Sequence, residues 1–161
     1  MTDKPTPETL RAGEVALELP DRFDAGLYFI GRIETPWATR EECPRRGDPE
    51  DGPDCRLIVD ERFAAALAGI ESRDELLVLY FMDEARRDLA IQNPRHRGHA
   101  IGTFALRSPV RPNPVAASRV RLLSHSRNVL VVRGLDCRSG TPLVDIKPEF
   151  APAARNCDEA E

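Results

Sequence analysis

Residues 115–133 read VAASRVRLLSHSRNVLVVR, and this stretch decides the fold class. It holds two apolar runs, 115–123 and 129–133, which are rich in Val and Leu and are separated by Ser, Arg and Asn. Short runs of this composition, bounded by turn residues, are typical of β-strands. The stretch therefore predicts two strands of one sheet.

Further runs of the same kind occur on both sides of that stretch. They lie at 15–19, 28–34, 57–59, 76–82, 100–107 and 143–146. Helical periods between them are nearly absent, which argues against a parallel, doubly wound sheet. We predict a mainly β protein, in the form of a small antiparallel β-barrel with one or two short helices.

One segment between the predicted strands has the pattern of a helix. Residues 60–70 read DERFAAALAGI, with Asp60 in position to cap the helix. Phe63, Leu67 and Ile70 would fall on one face of it. Residues 38–54 contain three prolines and two glycines, which predicts a long loop before this helix.

The chain of 161 residues has the size of a single domain. Residues 1–13 have no apolar period and are predicted to be a disordered lead-in. Residues 14–150 would form the β-barrel domain, and 151–161 a C-terminal tail. No apolar run approaches the roughly 20 residues of a membrane span, and the first residues do not resemble a signal peptide. We therefore expect a cytoplasmic protein that does not enter a membrane.

The cysteine and histidine patterns predict neither a disulfide framework nor a metal site. Four cysteines are too few and too scattered for a disulfide framework, so reduced thiols are expected. His96 and His99 are three residues apart but lack carboxylate or thiol neighbours that would complete a zinc site.

The net charge of −4 hides an asymmetry along the chain. Residues 89–135 contain no Asp or Glu and eight arginines, so this segment carries +8 and the rest of the chain −12. A basic segment in an acidic chain indicates an anionic partner, most commonly nucleic acid. The alternative is a solvated face that balances acidic neighbours.

Two segments have the composition of binding loops. Residues 107–114 read RSPVRPNP, and their three prolines stiffen a loop that holds Arg107 and Arg111. Such a loop can present donors to an anion at little ordering cost, although a rigid turn with solvated arginines is the alternative. Residues 135–148 read LDCRSGTPLVDIKP, where backbone N–H groups and the hydroxyls of Ser139 and Thr141 could bind a small polar ligand.

The ten glycines never form GxG or GG, which excludes the dinucleotide-binding fingerprint and the P-loop.

In this order, these segments and the stretches before them resemble the TsaA-like family of S-adenosylmethionine-dependent tRNA methyltransferases. The matching stretches are IGRI at 30–33, TPW at 35–37, PRR at 44–46, GTFALRSPVRPNPVAAS at 102–118 and DCRSGTPLVDIKP at 136–148. The resemblance covers about residues 28–150. It implies a small β-barrel that forms a homodimer and binds S-adenosylmethionine near the subunit interface. It also implies methylation of N6 of threonylcarbamoyladenosine next to the anticodon of a tRNA.

The resemblance also implies site residues. The cofactor contacts would be Pro44, Arg45, Arg46, Asp83, Glu84, Arg107, Ala117, Gly140, Thr141 and Pro142. The chain departs from the family pattern at Asp83, where many members have a histidine, and at Ser139, which replaces an aspartate. The expected contacts to substrate or RNA are Arg95, Arg97, Arg111 and Asn113. Asp83 and Asp136 are the candidates for the group that accepts the amine proton.

Two other functions remain open from the sequence. The same cofactor could serve another RNA or a small-molecule acceptor, or the barrel could bind RNA or a protein partner without catalysis. Both hypotheses that involve S-adenosylmethionine require that residues 107–114 and the Ser-Gly-Thr-Pro turn at 139–142 meet in one cleft.

Overall fold

The computed structural model describes residues 9–149. Its strands are β1 (Val15–Ala16), β2 (Gly31–Glu34), β3 (Asp54–Val59), β4 (Glu75–Phe81), β5 (Leu89–Gln92), β6 (Ile101–Gly102), β7 (Val115–Ser126), β8 (Val129–Arg133) and β9 (Pro142–Pro148). Short 3₁₀ helices lie at Arg40–Glu42, Glu61–Leu67, Ile70–Ser72 and Thr103–Ala105. Six strands close a barrel in the order β2-β3-β8-β7-β4-β9, and every neighbouring pair is antiparallel. The expected antiparallel β-barrel is therefore confirmed.

The barrel interior is filled by alternate residues of each strand. In β4, Leu76, Val78 and Tyr80 are buried, whereas the residues between them are half-buried. This alternation follows from the strand geometry, in which successive side chains point to opposite faces. The buried residues of the other barrel strands include Ile33, Leu57, Val59, Val120, Leu130, Val132 and Leu143.

Strand β7 has 12 residues and pairs with β4 on one side and with β8 on the other. Its pairing with β8 shifts register between Leu122 and Ser124. Such bulges bend a strand, as closure of a sheet into a barrel requires. The pairing with β4 places Val78 opposite Ser118 and Tyr80 opposite Ala116.

A smaller sheet lies beside the barrel, in the order β1-β5-β6. Strand β5 was not expected from the sequence. The strand expected over 100–107 was wrong beyond Ile101–Gly102, because the chain turns there into the 3₁₀ helix Thr103–Ala105. The buried Thr103 hydroxyl fixes this turn by donating to the Leu89 carbonyl at 2.7 Å and accepting from the Gln92 side chain at 3.0 Å.

The helix expected over 60–70 is instead two 3₁₀ segments separated by Gly69, which has φ of 84°. The Asp60 side chain makes no capping hydrogen bond. Phe63, Leu67 and Ile70 nevertheless pack against the barrel core, so the expected apolar face is correct.

The strand expected at 129–133 has those bounds, and the strands expected at 57–59, 115–123 and 143–146 are longer than predicted. Two others are shorter, and the domain limits stay a prediction. The strand expected at 15–19 covers only Val15–Ala16, and the one expected at 28–34 begins at Gly31. Most of the lead-in and all of the tail at 151–161 lie outside the described residues. No helix between residues 9 and 149 is long and apolar enough to cross a membrane.

Candidate functional site

A cleft opens where β4 ends and β9 begins. The residues that line it are Arg40, Cys43, Met82, Asp83, Glu84, Ala85, Pro109, Asp136, Arg138 and Thr141. Pro109 comes from the proline-rich segment 107–114, and Thr141 comes from the Ser-Gly-Thr-Pro turn. The two segments therefore meet in one cleft, as the methyltransferase readings of the sequence require.

Hydrogen bonds to backbone carbonyls fix the Ser-Gly-Thr-Pro turn. Gly140, with φ of 87°, donates its N–H to the Ile33 carbonyl at 2.8 Å, and the Ser139 N–H donates to the Trp37 carbonyl at 2.7 Å. The Thr141 hydroxyl donates to the Arg138 carbonyl at 2.8 Å. The Thr141 N–H also donates, to the Arg138 carbonyl at 3.4 Å. The expectation that N–H groups of this turn bind a ligand was therefore wrong, because backbone carbonyls accept from all of them.

Three charged side chains form a cluster on one side of the cleft. The same Arg138 nitrogen lies 3.1 Å and 3.2 Å from the two carboxylate oxygens of Asp83 and 3.1 Å from a Glu84 oxygen. Arg138 is about one-quarter exposed, and the Glu84 side chain is 65% exposed. Arg138 was not expected in the site, because its role depends on a contact with Asp83, 55 positions away in the chain.

A second cluster of polar side chains lies behind the cleft residue Asp136. It consists of Asp136, Tyr80 and Ser118, of which only Asp136 carries a charge. The buried Tyr80 hydroxyl donates to Asp136 Oδ1 at 2.5 Å and lies 2.8 Å from the Ser118 hydroxyl. Burial and the neighbouring Asp136 carboxylate raise the pKa of Tyr80 well above its usual value, so it stays a neutral donor. Asp136 thus has hydroxyl partners here, whereas Asp83 is paired with a guanidinium.

The thiols near the cleft are protonated at neutral pH. Burial and the carboxylate of Asp136 raise the pKa of Cys43, which is half-buried at the cleft wall. Burial raises the pKa of Cys137 to about 12. Because the thiolate is the nucleophilic form, neither thiol is activated for attack. Between residues 9 and 149, no group of His, Cys, Asp or Glu side chains is arranged to hold a metal ion.

The arginines of the proline-rich segment mainly hold the backbone. Arg111 donates to the carbonyls of Ser108 at 2.9 Å, Thr103 at 3.3 Å and Leu106. These carbonyls lie outside the sheets, and that of Thr103 also accepts from the Leu106 N–H at 3.1 Å. Arg107 likewise donates to the Ala117 carbonyl. The structure therefore gives Arg111 a role in fixing this loop.

Most of the expected contacts do not line the cleft. Of the cofactor contacts implied by the resemblance, Asp83, Glu84 and Thr141 line it. Those that do not are Pro44, Arg45, Arg46, Arg107, Ala117, Gly140 and Pro142, of which the first three follow the cleft residue Cys43. Of the expected substrate contacts, Arg95 and Arg97 are exposed in the loop between β5 and β6, and Asn113 is exposed and accepts from Arg87 at 3.4 Å.

The profile of the tRNA-methyltransferase O N-terminal domain family matches residues 32–154. The chain is 49% identical to a probable S-adenosyl-L-methionine-binding protein, VirR, of Rhizobium radiobacter, over 87% of this chain and 79% of that protein. It is 33% identical to the tRNA (adenine(37)-N6)-methyltransferase of Escherichia coli, over 81% of this chain and 60% of that protein.

The fold has the same relatives. The crystal structure of TrmO from Pseudomonas aeruginosa superposes with a TM-score of 0.66 at 26% identity, over 86% of this chain and 62% of that one. The chain thus spans about 60% of the length of the E. coli relative and of this structure. The barrel, the shared cleft and the profile match agree with the resemblance noted from the sequence. The chain belongs to the tRNA-methyltransferase O N-terminal domain family.

Proposed function

We propose that the protein transfers the methyl group of S-adenosylmethionine to N6 of threonylcarbamoyladenosine, next to the anticodon of a tRNA. The observation that carries the proposal is the cleft between the proline-rich segment and the Ser-Gly-Thr-Pro turn. Relatives that share this domain are named S-adenosylmethionine-binding proteins or a tRNA (adenine(37)-N6)-methyltransferase.

The charges around the cleft fit a cationic methyl donor. Among the described residues that line it, three are carboxylates and two are guanidinium groups. S-adenosylmethionine supplies an electrophilic methyl carbon next to a sulfonium, whose sulfur keeps the electron pair of the broken bond. A net negative cleft attracts this sulfonium, and the rigid turn at 139–142 limits how a bound molecule can move.

The proton that leaves the acceptor nitrogen needs a base near the cleft. Asp83 and Asp136 both line it, but Asp83 is held in an ion pair with Arg138. Asp136 accepts only from neutral hydroxyls, so its carboxylate is the freer of the two. We assign Asp136 as the proton acceptor.

A second copy of the chain would complete the site. The cleft encloses about 50 Å³, whereas sites for ligands of this size usually enclose about 300 Å³ or more. Large apolar side chains are exposed elsewhere on the surface, with Tyr28 86%, Phe104 85% and Phe23 75% exposed. Both features support a homodimer in which the partner covers part of the ligand.

The arginine-rich loop between β5 and β6 would bind the tRNA backbone. Arg95 and Arg97 are exposed there, together with His96 and His99. Contacts from arginine to phosphate hold an RNA in position without reading its sequence. A substrate of this kind places the protein in the cytoplasm, where the free thiols Cys43, Cys55 and Cys137 would stay reduced.

The proposal is tested by supplying the protein with radiolabelled S-adenosylmethionine and tRNA that carries unmethylated threonylcarbamoyladenosine. Digestion and nucleoside analysis should recover the label as the N6-methylated nucleoside. Label in another nucleoside, or in a small molecule, would instead assign a different acceptor to the same cofactor. If no label is transferred and calorimetry detects no binding of S-adenosylmethionine, the proposal fails and a barrel that binds RNA or a protein partner without catalysis is favoured.

A further inference from the structure

One carboxylate at the cleft has no ion-pair partner among residues 9–149. Arg138 pairs with Asp83 and Glu84 on one side of it. Asp136 lines the same cleft but makes no ion pair with any residue between 9 and 149. The charge of Asp136 is therefore available to a ligand.

Two buried hydroxyls fix the position of this carboxylate without cancelling its charge. Tyr80, with 2% of its surface exposed, donates to Asp136 Oδ1. Ser118, 9% exposed, lies 2.8 Å from the Tyr80 oxygen and 3.5 Å from the same carboxylate oxygen. The pairing of β4 with β7 brings these two side chains together inside the barrel. Oδ2 accepts no hydrogen bond from the described residues and is the atom left for a ligand.

We propose that Asp136 is the residue that makes the cleft prefer the sulfonium donor to its thioether product, with Tyr80 and Ser118 as positioning residues. The inference rests on the proposed use of S-adenosylmethionine. The donor and S-adenosylhomocysteine differ by one methyl group and one positive charge. A carboxylate that is fixed by hydrogen bonds and has no ion-pair partner therefore attracts the donor more strongly.

This preference has a consequence for turnover. Transfer of the methyl group removes the positive charge from the sulfur, and the attraction to Asp136 ends at that moment. The product is then held only by contacts that the donor also makes. Its release is therefore favoured by the same residue that recruits the donor.

The experiment measures equilibrium binding of three ligands by calorimetry, without any acceptor RNA. The ligands are S-adenosylmethionine, S-adenosylhomocysteine and sinefungin, an unreactive analogue with a charged amine near the sulfonium position. The unsubstituted protein should bind the two cationic ligands at least about tenfold more tightly than the product. Asp136→Asn, which keeps the shape of the side chain, should bring that ratio close to one and leave product affinity within about threefold.

Two further variants separate position from charge. Asp83→Asn removes a carboxylate whose charge Arg138 already offsets, so it should lower the preference less than Asp136→Asn does. Tyr80→Phe keeps the Asp136 charge but releases its oxygen, and should give an intermediate ratio. Ser118→Ala is a milder version of the same change if Tyr80→Phe does not fold, as judged by circular dichroism.

The outcomes distinguish this inference from the function on which it rests. If the unsubstituted protein binds neither S-adenosylmethionine nor sinefungin, the proposed function fails. If it binds all three ligands with equal affinity, or if Asp136→Asn weakens all three equally, the proposed function stands and the role of Asp136 is wrong.

Discussion

Arg138 contacts both carboxylate oxygens of Asp83 at the cleft, at 3.1 Å and 3.2 Å. The pair joins the turn before β9 to the residues that follow β4. Both side chains are partly exposed, 24% for Arg138 and 42% for Asp83, so the pair contributes only about 0–1 kcal/mol to stability. Its larger effect is on the charge of the cleft.

Replacing Arg138 with methionine is the first test of that charge. Arg138→Met leaves Asp83 and Glu84 without their guanidinium, so the cleft becomes more negative. We expect the ratio of donor affinity to product affinity to rise by roughly threefold to tenfold. Calorimetry with the two ligands measures the ratio, and Arg138→Lys, which keeps the charge, should leave it unchanged. A ratio that falls in Arg138→Met would contradict this account of the cleft.

The hydrogen bond from Tyr80 to Asp136 gives a prediction for stability. Tyr80→Phe keeps the ring in the core but removes a buried donor from a carboxylate. Hydrogen bonds to charged groups contribute about 1.5–3 kcal/mol, so the free energy of unfolding should fall by that amount. Urea denaturation measures it. Tyr28→Phe is the matched control. Because Tyr28 is 86% exposed, the free energy of unfolding of this variant should equal that of the unsubstituted protein.

The barrel was predictable because its strands carry their pattern locally. The strand expected at 76–82 is observed at Glu75–Phe81, so each end is shifted by one residue. Its apolar residues are adjacent in the sequence, and alternate ones face the core. Strand β5 reads LAIQ, is too short to show a period and was missed. The segment at 60–70 has a helical apolar face, but Gly69 divides it.

The site was only partly predictable, for a different physical reason. Thr141 was found because it matches the Gly-Thr-Pro of the family pattern, and Asp83 because it aligns with the position where many members have a histidine. Arg138 lies at a position where that pattern specifies no residue. Its function depends on Asp83, which is adjacent only after β4 and β9 pair. Arg111 was expected to bind a ligand, since its sequence context does not reveal the carbonyls that it satisfies.

Gly47 gives a prediction that links the loop after Arg40–Glu42 to the site. A Cβ atom at Gly47 would lie 1.8 Å from the Gly134 carbonyl oxygen, so the backbone must move to accept a side chain. Gly47→Ala should lower the free energy of unfolding by about 1–3 kcal/mol. It should also weaken binding of S-adenosylmethionine, because Arg45 and Arg46 are carried on this loop.

The control for this change is Gly26→Ala. A Cβ atom there would meet nothing within 4 Å, so neither stability nor binding should change. Denaturation and calorimetry report the two effects separately. Normal ligand binding in a destabilised Gly47→Ala protein would show that the loop does not contribute to the cofactor site.

The loop between β5 and β6 gives a prediction for RNA binding. Arg95 and Arg97 are exposed, and their double replacement by alanine should weaken tRNA binding at low salt. Each lost phosphate contact lowers the slope of log affinity against log salt by about 1, measured from about 50 to 200 mM. Arg121→Ala is the control, because Arg121 is paired with Glu50 at 2.8 Å. An unchanged slope in the double variant would place the RNA elsewhere on the surface.

Alkaline pH should destabilise the fold through its buried acidic groups. Burial raises the pKa of Cys55 from 9.0 to about 11 and that of Cys137 to about 12, and it also raises the pKa of Tyr80. Above about pH 9 the unfolded chain loses these protons while the folded chain keeps them, so stability falls as pH rises through that window. The stabilisation is fully present below that pH.

The composition suits this measurement, since the chain has only four cysteines, two tyrosines and two lysines. Urea midpoints at about pH 7.5, 9 and 10.5 should decrease steadily over the last interval. Cys55→Val removes one of the groups and should show a smaller decrease between the last two values, whatever its stability at neutral pH. A midpoint that stays constant to about pH 10.5 in the unsubstituted protein would mean that these groups titrate alike in both states.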